Sequence, residues 1–124
     1  MATTPAEPKR NNDINSLVGY VADRVRTVLG AMEKCGWDPF IVEARRTYGR
    51  QVYLYGIGRT HHLRDRTVTN TLESRHIPGK AVDIASRSKG WNSSAFFDAL
   101  WQEAKRVGLH HLGIWDRAHL EWRG

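Results

Sequence analysis

The sequence predicts an α+β fold, a small and mainly antiparallel sheet with about three helices packed on it. Two segments repeat apolar residues every three or four positions, as a helix with one buried face requires, and a shorter apolar segment that ends at a glycine lies between them. Short apolar runs of strand length lie between these segments. With 124 residues, 40% of them hydrophobic and 26% charged, the chain is long enough for one hydrophobic core. We therefore expect one domain.

The first helix is predicted to begin after Asp13 or Ser16, either of which can cap it, and to end at Gly36. A second, shorter helix is predicted within residues 45–58, where it closes at Gly56 or Gly58. The apolar stripe of the first helix consists of Leu17, Tyr20, Val21, Val25, Val28, Leu29 and Met32.

The third helix is predicted to begin at Ser93 or Ser94 and to end at Gly108. Its apolar face consists of Phe96, Phe97, Leu100, Trp101, Ala104 and Val107.

Strands are predicted at residues 40–44 and 80–85, and residues 109–122 are predicted to form two short strands joined by a turn. Residues 59–75 carry few large apolar side chains and are predicted to form a long loop, a kind of segment that is often functional. Because side chains two apart in a strand share a face, His119 and Glu121 should point the same way.

Residues 1–12 are rich in proline, threonine, asparagine and charge, so we expect a flexible leader followed by a single domain, 13–124. Cys35 is the only cysteine, which excludes an internal disulfide, and we interpret it as a core thiol. The leader has no apolar segment typical of a secretory signal, and no run is long enough for a membrane helix. The net charge of +6 favours polyanionic partners such as nucleic acid, anionic membranes or bacterial cell walls.

Two segments carry candidate metal ligands. In residues 74–84, His76 precedes Asp83 across a Pro-Gly turn, and near the C-terminus Asp116 precedes His119 by three residues. Two histidines and an aspartate are a plausible zinc set, because catalytic zinc sites keep their fourth position for water. Spacing alone leaves a structural role for these residues open, and that role is the default for His61, His62, His110 and His111.

These motifs resemble the signature pair SxHxxGxxxD and (D/E)xxH of the LAS metallopeptidases, a family of D-alanyl-D-alanine carboxypeptidases and dipeptidases and of L-alanyl-D-glutamate endopeptidases. Residues 43–60 are also similar to the R(T/S)xxxQxxLYxxGRT stretch of the endopeptidase branch, which includes phage endolysins. The resemblance runs from about Leu17 to Trp122, and the motifs occur in the family's order.

The resemblance implies one zinc ion per chain, on the open face of the sheet, held by His76, Asp83 and His119. It makes Asp116 the catalytic base that takes a proton from the attacking water. Arg46 would stabilise the oxyanion or hold a substrate carboxylate. Ser74 and Gln51 also match family positions and are expected to orient ligands or substrate. Glu121 is expected to act through His119. Trp91, Trp115 and Trp122 are candidates for the cleft wall, with ordinary packing as the alternative.

The function implied is a zinc-dependent peptidase that cuts the stem peptide of peptidoglycan, at the L-alanyl-D-glutamate bond, as a phage-type endolysin. By analogy with the family, we expect a monomer made in the host cytoplasm that reaches the wall after a holin opens the membrane. Residues 111–120 depart from the family's usual turn before the final acid, so a D-alanyl-D-alanine carboxypeptidase stays open. The alternative from another class is a nucleic-acid-binding protein that uses the arginines of residues 45–66.

Overall fold

Three α-helices and four strands are present in the computed structural model, which describes residues 5–124. The helices are α1 (Gly19–Lys34), α2 (Tyr48–Gly56) and α3 (Ser94–Arg106). The strands are β1 (Pro39–Glu43), β2 (Ala81–Ser86), β3 (His110–His111) and β4 (His119–Glu121). Two short 3-10 helices, Ile14–Ser16 and Gly113–Trp115, precede α1 and β4. The predicted fold class is confirmed.

The sheet is antiparallel throughout, in the order β1-β2-β4-β3. Its register places Asp83 of β2 beside Glu43 of β1 on one side and beside His119 of β4 on the other. The β1–β2 pairing shifts between Ile41 and Glu43, as a bulge does. Asp83 therefore sits between two polar neighbours in the middle of the sheet.

The hydrophobic core lies on one face of the sheet. Val82 and Ile84 of β2 and Leu120 of β4 are at most 1% exposed and belong to one cluster with α1 and α3. Because side chains alternate along a strand, Asp83 and His119 point to the opposite face. The helical part of this cluster consists of Val21, Ala22, Val25, Val28, Met32, Phe96, Phe97, Leu100 and Ala104. The polar face of the sheet is thus left open for a site.

The start of α1 differs from the prediction. The Asp13 side chain accepts from the Asn15 backbone N–H and caps the 3-10 turn, whereas α1 begins after Val18 without a side-chain cap. The Val18 N–H instead donates to the carbonyl of Gly79, so a tertiary contact fixes this helix end. The cap at Ser93 is confirmed, since its side chain accepts from the Phe96 N–H.

The N-terminal segment contacts the sheet, and Cys35 lies at the surface. Residues 1–4 of the predicted leader lie outside the described residues, and residues 5–12 have no regular secondary structure. The Ala44 N–H nevertheless donates to the Asn11 carbonyl, so part of this segment runs beside the end of β1. Cys35 is exposed at the end of α1, so the prediction of a core thiol is wrong. None of the helices in residues 5–124 has the length and hydropathy that a membrane crossing requires.

Candidate metal centre

His76, Asp83 and His119 converge on one point of the open sheet face. The Nε2 atom of His76 lies 3.4 Å from Asp83 Oδ2, and the Nδ1 atom of His119 lies 3.4 Å from Asp83 Oδ1. One donor atom from each of the three residues falls within 4.8 Å of the others. Ligands about 2.0–2.1 Å from a tetrahedral zinc ion are themselves separated by about 3.4 Å. The three side chains can therefore hold one metal ion.

The turn that carries His76 is fixed by its own backbone. Ser74 Oγ accepts from the His76 N–H at 3.2 Å, and the Arg46 N–H donates to the His76 carbonyl at 2.9 Å. Gly79 ends the turn with φ +76°, a conformation that favours glycine, and an added Cβ would lie 3.1 Å from the Ser16 carbonyl oxygen. Ser74 thus orients the ligand's backbone, and the motif needs its glycine at residue 79.

Hydrogen bonds select which nitrogen of each histidine faces the metal position. The Nδ1–H of His76 donates to the Ala44 carbonyl at 2.7 Å. The lone pair of Nε2 is therefore free to bind a metal ion. The Nε2–H of His119 donates to Glu121 Oε1 at 2.8 Å, which leaves Nδ1. Such partners fix the ring orientation and raise the basicity of a ligating imidazole.

The charges at this point favour a cation. Burial disfavours the ionised Asp83, but His119 and His76 outweigh it and hold its pKa below the ordinary range. Burial likewise opposes charging of His119, yet Asp83 and Glu121 raise its pKa. Asp83 Oδ1 is buried without a hydrogen-bond partner among the described residues, an arrangement that a bound metal ion would satisfy.

Asp116 borders the metal ligands without joining them. Its Oδ2 lies 3.8 Å from His119 Nδ1, and its side chain is 53% exposed at the edge of the cleft. Partial burial, followed by the negative charge of Asp83, raises the pKa of Asp116. A carboxyl group in this position can accept a proton and return it.

Arg46 is clamped beside the metal ligands. Its Nη2 donates to Glu43 Oε1 at 2.6 Å, and its Nη1 donates to Gln51 Oε1 at 2.8 Å. The same Nη2 lies 3.8 Å from Asp83 Oδ2, and Nε is buried without a partner in residues 5–124. Gln51 also donates to the Thr71 carbonyl at 2.7 Å, which joins Arg46 to the cleft wall. The structure therefore presents a fixed positive charge next to the metal position.

Glu43 is a functional candidate that sequence reasoning missed. It is 3% exposed, and its two oxygens accept from Arg46 and from Arg50 Nε, the latter at 2.5 Å. Burial opposes ionisation of Glu43, but the two arginines outweigh it and lower its pKa. Arg50 in turn donates to Glu7 and to the Pro8 carbonyl. Glu43 lies three residues before Arg46, a spacing that allows an ion pair. The spacing does not show that the pair is buried, so it did not identify Glu43 from the sequence.

Glu121 is itself held by arginines. Its Oε2 accepts from Arg123 Nε at 2.8 Å and lies 3.0 Å from Arg75 Nε. Burial opposes its ionisation, but Arg123 and His119 lower the pKa of Glu121, so it stays an acceptor for His119. All eight residues singled out from the sequence thus lie in or beside one site: Ser74, His76, Asp83, His119, Asp116, Arg46, Gln51 and Glu121.

A cleft of about 470 Å³ opens above the metal ligands. Leu54 and Val68 form an apolar part of its wall, and Leu112 and Asp116 form part of its rim. The residues that line it do not include the three tryptophans predicted as candidates, Trp91, Trp115 and Trp122, or the four histidines interpreted as structural, His61, His62, His110 and His111.

Solved structures of peptidoglycan peptidases share this fold. The LD-carboxypeptidase LdcB superposes with a TM-score of 0.68 at 24% identity, over 87% of this chain and 59% of LdcB. The L-Ala D-Glu endopeptidase ChiX of Serratia marcescens gives 0.60 at 18%, over 88% of this chain and 82% of ChiX. The D,D-pentapeptidase VanY, as an E175A mutant in complex with Zn(II), gives 0.67 at 15%, over 87% and 73%.

The resemblance to LAS-type peptidases, inferred from the motifs, is thus confirmed at the level of the fold. The chain spans less than two thirds of the LdcB structure. No family model and no curated protein sequence matches this chain.

Proposed function

We propose that this protein is a zinc-dependent peptidase that cuts the stem peptide of peptidoglycan, at the L-alanyl-D-glutamate bond. The observation that carries the proposal is the convergence of His76, Asp83 and His119, with a separate carboxylate, Asp116, 3.8 Å from one of them. This arrangement lies in a cleft on a fold shared with an L-Ala D-Glu endopeptidase and with carboxypeptidases of the wall peptide.

The residues divide the chemistry between them. A zinc ion held by the three ligands would polarise a peptide carbonyl and lower the pKa of a water molecule. Asp116, whose Oδ2 lies 3.8 Å from His119 Nδ1, takes the proton of the attacking water and passes it to the leaving amine. Arg46, held by Glu43 and Gln51, stabilises the negative charge that develops on the carbonyl oxygen.

The nucleic-acid alternative is weakened by where the arginines lie. Arg50 is 3% exposed and paired with Glu43, and Arg46 is held beside the metal ligands. Arg59 donates to the carbonyls of Tyr55 and Thr69. These side chains stabilise the domain, so fewer cations of residues 45–66 remain for a phosphate backbone. The net charge of +6 fits an anionic wall polymer as a partner as well as it fits nucleic acid.

A D-alanyl-D-alanine carboxypeptidase is the second candidate, since the D,D-pentapeptidase VanY and the LD-carboxypeptidase LdcB share the fold. Incubation with purified sacculi, followed by mass analysis of the products, distinguishes the two. The endopeptidase leaves a free L-alanyl terminus on the muramyl side, whereas the carboxypeptidase releases terminal D-alanine. If wild type with zinc supplied gives neither product, like the Asp116→Asn control, the proposal of a wall peptidase is refuted.

A phage-type lytic role is part of the proposal. It is supported by the similarity of residues 43–60 to the endopeptidase branch that includes endolysins. Cytoplasmic expression with and without a co-expressed holin tests the release route. Lysis that depends on both the holin and Asp116 is expected, and lysis without the holin would contradict that route.

A further inference from the structure

A short turn beside the cleft presents two large apolar side chains to solvent. The 3-10 turn Gly113–Trp115 leads directly into Asp116. Ile114 is 74% exposed and Trp115 is 92% exposed, the highest values among the large hydrophobic side chains of residues 5–124. We call these two residues the apolar tip. Exposed apolar groups next to a cleft are typical of a contact surface.

The tip is anchored at its base. Trp101 stacks on His111 with ring centroids 4.8 Å apart and planes 9° apart, and Trp101 Nε1 donates to the Arg117 carbonyl at 2.9 Å. The Gly113 N–H donates to His111 Nδ1 at 3.1 Å. Both ends of the turn are therefore tied to α3, so Ile114 and Trp115 are held outward by an ordered segment.

The tip lies at the rim of the cleft, outside its lining. Leu112 and Asp116, the residues on either side of the turn, both line the cleft. The Cα atoms of Trp115 and Asp116 are about 3.8 Å apart because they are consecutive in the chain. A ligand that extends out of the cleft past Asp116 therefore meets the tip.

We propose that the apolar tip binds the face of a sugar ring in the glycan strand that carries the stem peptide. This inference rests on the proposed peptidase function. A pyranose ring presents C–H groups on its face and hydroxyl groups at its edge, and an indole ring offers a flat apolar surface to such a face.

The position of the tip relates to the bond that is cut. In the L-alanyl-D-glutamate reaction one residue, L-alanine, separates the scissile bond from the muramyl group. An extended residue spans about 3.5 Å, and the lactyl link between L-alanine and the ring adds a similar length, so the nearest sugar atom lies roughly 7 Å from the reacting carbonyl. The D-alanyl-D-alanine bond lies about three residues further along the stem, roughly 10 Å more. A sugar contact next to Asp116 therefore belongs with the endopeptidase reaction.

The test compares two substrates in wild type, Trp115→Ala and Trp91→Ala. One substrate is a muramyl tripeptide, and the other is the same tripeptide with an acetyl group in place of the sugar. Trp91 is a matched control because it is also exposed, at 51%, and neither it nor its chain neighbours line the cleft, whereas Trp115 directly precedes Asp116. Trp115→Ala should lower kcat/KM about tenfold on the muramyl substrate and leave the acetyl substrate within about twofold. Trp91→Ala should change neither.

Equal losses on both substrates, or no loss on either, would overturn the sugar contact. A second contradicting result is that Trp115→Ala binds vesicles of phosphatidylglycerol and phosphatidylethanolamine more weakly than wild type but cuts the muramyl substrate equally well. That result would assign the tip to a membrane. A wild-type dimer that Trp115→Ala converts to a monomer would assign it to a second copy of the chain.

Failure of the proposed function is recognised separately. If zinc-loaded wild type cuts neither substrate, the proposal of an L-alanyl-D-glutamate endopeptidase fails. Calorimetric binding of the muramyl tripeptide then tests the sugar contact by itself. Binding that weakens about tenfold in Trp115→Ala and not in Trp91→Ala would uphold the sugar contact. Equal binding by all three proteins would overturn it.

Discussion

Glu43 fixes two arginines with one carboxylate at the end of β1. Arg46 and Arg50 both donate to it, and all three side chains are largely buried. A buried charge that loses its partner is costly, so the three groups depend on one another. In the proposed reaction Glu43 therefore acts through Arg46, as a positioning residue.

Glu43→Gln should destabilise the protein by about 3 kcal/mol, because it removes the charge shared by two buried guanidinium groups. Below the unfolding temperature it should also lower kcat about 10- to 100-fold with a smaller change in KM, because Arg46 loses an anchor. Denaturant unfolding and steady-state kinetics measure the two effects.

The control is Glu103→Gln, which breaks a Glu–Arg pair of the same i, i+3 spacing whose Arg106 is 71% exposed. It should cost at most about 1 kcal/mol and leave kcat unchanged. A Glu43→Gln protein with normal kcat per folded molecule would contradict the positioning role.

Glu121 holds the tautomer of His119. Glu121→Ala should weaken zinc binding about 10- to 100-fold, because the ligating imidazole loses the acceptor that orients it. Competition with a chromogenic chelator measures the dissociation constant. Glu33→Ala, at an exposed position of α1, should leave zinc affinity unchanged. Equal zinc affinity in Glu121→Ala and wild type would show that His119 needs no such partner.

Side chains at motif spacings could be predicted from the sequence, whereas the buried Glu43 and the backbone partners could not. His76, Asp83, His119 and Asp116 occur at motif spacings that the chemistry requires. The acceptor of His76 is the carbonyl of Ala44, and every residue carries a carbonyl. Only the tertiary path of the chain determines which one is used.

At the scale of elements, Asp38 ties the entry of β1 to the exit of β2. Its carboxylate accepts from Ser86 Oγ and from the Ser88 N–H, at 2.5 and 2.9 Å. The Ser86 hydrogen bond, followed by those of Ser88, lowers the pKa of Asp38 to about 2. The edge strand β1 is thereby fastened where the sheet pairing begins.

Because the pKa of Asp38 is lowered, the contribution of Asp38 to the stability of the folded protein falls as the pH falls. A depressed carboxyl pKa contributes stability above the unfolded pKa of about 4, and this stability is lost as pH falls towards about 2. Asp38→Asn should therefore be less stable than wild type at pH 6, with a difference that shrinks between about pH 4 and pH 2. Thermal unfolding across this range measures the difference, and a constant difference would contradict the assignment.

The elements themselves show what local sequence determines. Apolar periodicity predicted α1 and α3, and a short apolar run ending at a glycine predicted α2. Ser93 was identified as a cap because capping is local. The start of α1 was predicted wrongly, because Asp13 serves the preceding 3-10 turn and Val18 is held by Gly79, far along the chain. A contact between distant residues leaves no local pattern to find.

At the scale of the molecule, one face of the sheet packs on the helices and the other face forms the floor of the cleft. Val82, Ile84 and Leu120 face α1 and α3, while Asp83 and His119 alternate with them and face the cleft. Strand alternation therefore places the candidate metal ligands Asp83 and His119 directly behind fully buried core residues. The shared face of His119 and Glu121 was predictable, whereas the register that brings Asp83 between Glu43 and His119 required the structure.

Stoichiometric return of zinc to chelator-stripped protein, with the rate of sacculus digestion recorded at each addition, tests the central claim most directly. We predict that activity is absent without metal, rises in proportion to added zinc and reaches its maximum at about one equivalent per chain. Asp116→Asn should bind the same single equivalent and stay inactive, because Asp116 is assigned to proton transfer. Full activity in the stripped wild type, or loss of zinc from Asp116→Asn, would contradict the account.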